Sequence, residues 1–243
     1  MLVALGVSLA SSHGEEKWIQ LFDGESLDGW TPKFTGYEAG VNLNKTFRVM
    51  GGKLVVDYSG WEVFQGEFGH LFYKTPFSNY TLRVEYRFVG KQVETAGGDY
   101  GWARRNNGLM IHGDKPEAMG KDQEFPNSIE VQLLGGLEEG EERATLNACT
   151  PGTHIVVDGE LIKQHVVPSM GPTIYGDDWV TVEIRVEGAK RVQHLINGEV
   201  VHSYSDLQRN DGSPLSEGTI SIQAETAPIE FRKIELLPAN EGE

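Results

Sequence analysis

Apolar and polar residues alternate along this chain with the two-residue period of β-strands. In "YTLRVEYRFV" (80–89), Leu82, Val84, Tyr86 and Phe88 fall on one side and Arg83, Glu85 and Arg87 on the other. "WVTVEIRVEG" (179–188) repeats the pattern with Val180, Val182, Ile184 and Val186. Two hairpins are predicted from turn chemistry, at Asp158-Gly159 in "HIVVDGELI" and at Asn197-Gly198 in "VQHLINGEVVHSY". Both dipeptides accept the positive φ of a two-residue turn. The closing "GTISIQAETAPIEFRKIELLP" reads as two further strands around Ala227-Pro228. Helical periodicity is nearly absent, and no linker or repeat divides the chain.

These patterns predict an all-β fold, a single sandwich of two antiparallel sheets spanning residues 15–243. With 243 residues, 39% of them hydrophobic, the chain can bury a substantial core. Loops at 33–45, 91–104, 113–126 and 135–152 are long for such a fold, and long loops over a rigid sandwich are where binding tends to reside.

The formal net charge of −15 repels phosphate backbones, which excludes nucleic acid as an expected partner and suits neutral ligands. Cys149 is the only cysteine, so no intramolecular disulfide forms. Residues 1–14, "MLVALGVSLASSHG", have the apolar and small-residue parts of a secretory signal without its basic start, as a truncated signal peptide does. Export to the periplasm or the outside of a bacterial cell is the expectation. The apolar run is too short to span a bilayer, and no other segment is long enough.

Unusual chemistry concentrates in 99–136. "IEVQL" (129–133) sets Ile129, Val131 and Leu133 against Glu130 and Gln132. A strand near 109–112 carries Leu109 and Ile111 against Met110 and His112. If the two strands are neighbours, His112, Glu130 and Gln132 share one face, with Arg104, Arg105, Asn106 and Asn107 at its rim. Sugar hydroxyls need such paired donors and acceptors, and Trp102 can stack on a pyranose ring.

Jelly-roll glucanases place their carboxylates on one strand as Glu-x-Asp-x-Glu. Here the run is Glu130-Val131-Gln132-Leu133-Leu134, so this strand supplies one carboxylate where ordinary glycoside hydrolysis needs two. A Cys149–His154 nucleophile is disfavoured, because a lone cysteine commonly just packs. No zinc, phosphate-loop, dinucleotide or Gly-x-Ser-x-Gly motif is present. His194 and His202 are expected to be packing or solvent-facing, and His70 is left open.

The chain resembles the 3-keto-disaccharide hydrolase family over roughly residues 17–237. The order of "WIQLFDGESLDGW", "FRVMGGKLVV", "RNNGLMIHG", "FPNSIEVQLLGG", "CTPGTHIVVDG", "HLINGEVV" and "GTISIQAETAPIEFRKIEL" carries the resemblance. Many members have arginine where this chain has His112. The resemblance implies a concanavalin A-like, laminarinase-like jelly roll acting on glycosides already oxidised to a ketone at sugar carbon 3. Such a ketone acidifies the hydrogen on carbon 2, so one base suffices for elimination, with water adding afterwards. Glu130 or His112 is then the base and the other assists the leaving oxygen. Gln132, Asn107 and Arg105 hold the ketone or neighbouring hydroxyls, His165 is a further acid candidate, and Gln223 and Glu225 line the same groove. No cofactor is required, although His112 and Glu130 are acceptable ligands for a divalent cation that polarises the ketone. The expected partner is an oligosaccharide or 3-keto-glycoside. A non-catalytic, lectin-like sugar-binding module of the same fold is the alternative.

Overall fold

The structure, a computed structural model, describes residues 17–239. The expected signal segment at 1–14 lies outside them. The strands in the first half are β1 (Ile19–Gln20), β2 (Trp30–Phe34), β3 (Phe47–Met50), β4 (Lys53–Val56), β5 (Gly69–Tyr73), β6 (Asn79–Phe88), β7 (Asn106–Gly113) and β8 (Ile129–Leu134). There follow β9 (Asn147–Cys149), β10 (Thr153–Val157), β11 (Glu160–Ile162), β12 (Val166–Val167) and β13 (Val180–Glu187). The last are β14 (Arg191–Ile196), β15 (Glu199–Arg209), β16 (Thr219–Ala224) and β17 (Ile229–Pro238). Among the described residues no helix is long and apolar enough to cross a membrane.

Two antiparallel sheets form. One has ten strands in the order β11-β10-β15-β14-β13-β6-β17-β4-β3, with β1 also pairing β17. The other has seven, in the order β12-β9-β8-β7-β16-β5-β2. The hairpin turns are as the sequence predicts: φ is +51° and +83° at Asp158-Gly159, and +52° and +81° at Asn197-Gly198. These are the left-handed positions of a turn whose twist matches its strands.

Alternation sets the layers. Leu82, Val84, Tyr86 and Phe88 of β6 face Leu109 and Ile111 of β7, Val131 and Leu133 of β8, and Ile220 and Ile222 of β16 across the core. The other side of the ten-stranded sheet is a ladder of charges, with Arg83 bonded to Glu183 and Glu235, and Arg87 and Lys53 sharing Glu230. These half-exposed pairs add little stability each but fix cross-strand register. The seven-stranded sheet differs. Its outer face is also buried, beneath the long loops.

Candidate functional site

Three strands place the polar residues of that outer face. On β16, Ile220, Ile222 and Ala224 enter the core, so Ser221 and Gln223 point outward, as does Glu225 just beyond the strand. On β8 the same logic sends Glu130 and Gln132 outward. The register pairs Gly108 with Gln132, Met110 with Glu130, and Glu130 with Cys149. Gly108 matters because it lacks a side chain. The Glu130 carboxyl lies over it, so that a Cβ there would meet Oε1 at 2.5 Å and Cδ at 2.8 Å.

Glu130 is 4% exposed and Glu225 2%. Burial pushes the Glu130 carboxyl up to about 8, opposed by a hydrogen bond with the Cys149 thiol directly across the ladder. Glu225 is raised well above the carboxylate range, by burial first and then by the charge of Glu130, against the pull of the Arg143 guanidinium. Burial disfavours the ionised form of both carboxyls, and the charge of Glu130 adds to this at Glu225, so both are held toward the protonated form. The expectation of a single carboxylate held for the strand but not for the sheet, since Glu225 supplies a second from two strands away.

Arg143 is the residue sequence reasoning missed. Its Nη1 donates to the carbonyls of Arg104 at 2.6 Å and Gly135 at 2.7 Å, and its Nη2 to that of Trp102 at 3.1 Å. It thus ties the 135–146 loop to the loop carrying Trp102 while standing beside Glu225. No periodic signal marks a loop arginine. Trp102 remains 49% exposed and stacks on Phe68, with ring centroids 5.9 Å apart and planes at 24°. Gln132 is half-buried and accepts from Asn147 Nδ2 at 3.0 Å. Solvent reaches the face at Gln132 and Trp102.

Four expected members are not brought together with Glu130. His112 is the principal correction. The β7–β16 register shifts by one residue between Met110 and Gly113, a bulge, and His112 takes φ +51° within it. Its ring therefore turns to the inter-sheet side, where Nε2 lies 3.1 Å from the Gly188 carbonyl and the ring meets Tyr80 edge-on. Asn107 is the second. It shares the inward parity of Leu109 and Ile111, and its Nδ2 donates to the Gln223 carbonyl at 2.6 Å. Arg105, at φ +44°, reaches Asp177 and the Gly176 carbonyl and lies over the Phe88 ring. His165 stands exposed beside edge strand β12, where its carbonyl binds Thr150, and no hydrogen bond joins its ring to the carboxyl pair.

Cys149 and His154 lie in different sheets, so no thiol–imidazole pair forms. His194 packs in the core between the Leu146 carbonyl and the Tyr204 hydroxyl. Among the described residues no three His, Cys, Asp or Glu side chains assemble to hold a metal ion. With His112 turned away from Glu130, the two-ligand cation set expected from the sequence does not form.

Several solved structures share this architecture. A protein of unknown function with a galectin-like fold from Bacillus subtilis is 12% identical, with 91% of this chain and 94% of that one covered and a TM-score of 0.57. A protein from Parabacteroides distasonis, named provisionally as a glycosyl hydrolase, is 16% identical over 92% and 100% of the chains, at 0.56. The luminal domain of VIP36 in its Ca2+/Man3GlcNAc-bound form is 11% identical over 95% and 91%, at 0.53. At such identities the likeness establishes the fold, a jelly roll of the galectin and concanavalin type. Comparison with curated proteins finds no match. Residues 17–237 match the family described as the 3-keto-alpha-glucoside-1,2-lyase-like domain, and the chain belongs to that carbohydrate-active family.

Proposed function

We propose that the chain cleaves glycosides bearing a ketone at carbon 3, by elimination followed by hydration. The Glu130–Glu225 pair carries this reading, because two buried carboxyls with raised pKa values on one face of the sheet offer a base and an acid. Glu130, nearer the open end at Gln132, takes the hydrogen from carbon 2. The electron pair delocalises into the ketone as an enolate, and its collapse expels the oxygen on carbon 1. Glu225 delivers the proton that this oxygen needs to leave as an alcohol. Water then adds across the carbon 1–carbon 2 double bond, so that the net change is hydrolysis. Gln132 bonds sugar hydroxyls, and Trp102 stacks on the ring or its aglycone. Arg143 holds Glu225 and the Trp102 loop in place.

A second carboxyl also suits ordinary glycoside hydrolysis, so the test must separate the two. The protein is incubated in heavy water with methyl 3-keto-α-glucoside or 3-keto-trehalose, and free sugar and deuterium at carbon 2 are both followed. Glu130→Gln abolishes exchange and release, whereas Glu225→Gln keeps exchange and slows release. Equal or faster cleavage of the unoxidised glucoside, without exchange, refutes elimination. A lectin-like module is the second reading, favoured by the sugar-bound VIP36 structure of the same fold. Saturable binding with no product establishes it instead. Export belongs to the same proposal and rests on residues 1–14; cell fractionation tests it.

A further inference from the structure

The carboxyl pair leaves unexplained a neighbouring group of polar side chains that is wholly buried and unsatisfied. His70 of β5 faces outward, with Leu71 turned into the core, and is 0% exposed. It pairs across the ladder with Gln223, also 0% exposed. Both ring nitrogens of His70, both amide atoms of Gln223 and the Ser221 hydroxyl lack hydrogen-bond partners among the described residues. Buried polar atoms are nearly always paired, and leaving them unpaired costs stability, so five together call for a physical reason.

Their placement supplies one. The pairing of Ile222 with Leu109 carries Gln223 opposite Gly108, which itself pairs with Gln132. His70, Gln223, Gly108 and Gln132 therefore form one line across four strands, and the Glu130 carboxyl fills the place above Gly108. Strands lie about 4.8 Å apart, so the His70 strand is about 10 Å from that carboxyl before side-chain reach is counted. A pyranose with its carbon 2 at Glu130 would extend along this line.

Phe125 covers the His70 end of this line. Phe125 lies edge-on against His70 at 5.8 Å and packs on Phe68 at 4.9 Å. Its loop is pinned a few residues earlier, where Lys33 Nζ and the Gly36 amide both bind the Lys121 carbonyl at 2.9 Å. Past that anchor Gln123 Nε2 donates to the Phe125 carbonyl at 2.7 Å, so uncovering His70 means turning the Phe125 side chain on a held backbone.

We propose that His70, Gln223 and Ser221 form a covered extension of the sugar face, a subsite for the hydroxyl-bearing edge of a neutral pyranose, and that Phe125 swings off it when the ligand enters. This rests on the reading of Glu130's face as a sugar site. The chemistry is matched. A neutral imidazole, a carboxamide and a hydroxyl each offer a donor and an acceptor, as sugar hydroxyls do. Burial and the Lys33 charge hold His70 down to about 3, so it stays uncharged. The Lys33 ammonium is already bonded to two carbonyls and is not left to bind an anionic ligand.

The test uses the Glu130→Gln protein, which binds without turnover, and adds His70→Phe or Gln223→Leu. Affinity for methyl 3-keto-α-glucoside and methyl α-glucoside is read by thermal shift and calorimetry. Each added substitution is expected to weaken binding at least tenfold without lowering the ligand-free Tm, since an apolar group replaces an unsatisfied polar one. Wild-type affinity in either variant overturns the subsite. So does a lowered ligand-free Tm, which makes these groups supports of the fold, and so does a parent that binds neither sugar. Equal affinity for both sugars, lost in the variants, supports the subsite while removing the keto-sugar preference from the proposed function. Phe125→Ala is expected to raise the association rate several-fold, and an unchanged rate overturns the swing.

Discussion

Replacing Glu130 by glutamine removes its charge and keeps its shape. The native carboxyl titrates at about 8, against 4.5 in the unfolded chain. Between those values the folded protein holds a proton that the unfolded chain has released. This raised pKa therefore gives stability that is complete below pH 4.5 and is lost as pH rises through about 8. At about 1.4 kcal/mol per pH unit the interval is worth at most about 5 kcal/mol, of which about 4 kcal/mol falls between pH 5 and pH 9. Glu130→Gln lacks this loss, and Glu225, freed from its neighbour's charge, is eased toward the ordinary carboxylate range. The variant's advantage over wild type should thus grow with pH. For a chain of this size each kcal/mol moves Tm by about 2–4 °C, so the two melting curves should separate by about 10 °C more at pH 9 than at pH 5. Calorimetry or urea unfolding across that range measures it. Parallel stability profiles would mean that Glu130 titrates normally, and the argument from its raised pKa would fail.

Gly108→Ala places a methyl 2.5 Å from Glu130 Oε1 and must displace the carboxyl; turnover should fall at least tenfold with a stability loss of about 1–3 kcal/mol. Trp102→Ala should raise KM about tenfold while leaving kcat and Tm nearly unchanged, because the ring is half exposed. Wild-type kcat/KM should rise with pH toward about 8 as the base loses its proton, and a flat profile over that range would remove Glu130 as the base. Arg143→Met removes the cation that opposes the raised pKa of Glu225, so the alkaline limb should move to higher pH, with about 2 kcal/mol lost from its carbonyl bonds.

Much of this was legible in sequence. Strict alternation located β6 and β13 and, through Glu130, Gln132, Gln223 and Glu225, the outward residues of β8 and β16. Asn107 shares the parity of Leu109 and Ile111, so the same alternation, carried back along β7, places it inward and not at the rim where it was expected. His112 was not legible, because a bulge adds one residue and inverts everything a period of two predicts. Arg105 was lost to a left-handed backbone, and the pairing of Glu130 with Cys149 depends on a strand contact that no local pattern encodes. His70 alternated correctly but had no visible partner until Gln223 came beside it.

The bulge divides β7 into two stretches with different duties. Up to Met110 the strand's outward positions border the carboxyl pair and are constrained by chemistry. At Ile111–His112 two successive side chains enter the seam between the sheets and are constrained by fit. A histidine or an arginine at this position is then a choice about how one edge of the sandwich is closed, and exchanging them should alter cohesion between the layers before it alters which glycoside is cut. Deleting one residue there would restore the simple period, free the imidazole from Gly188 and leave a gap beside Tyr80.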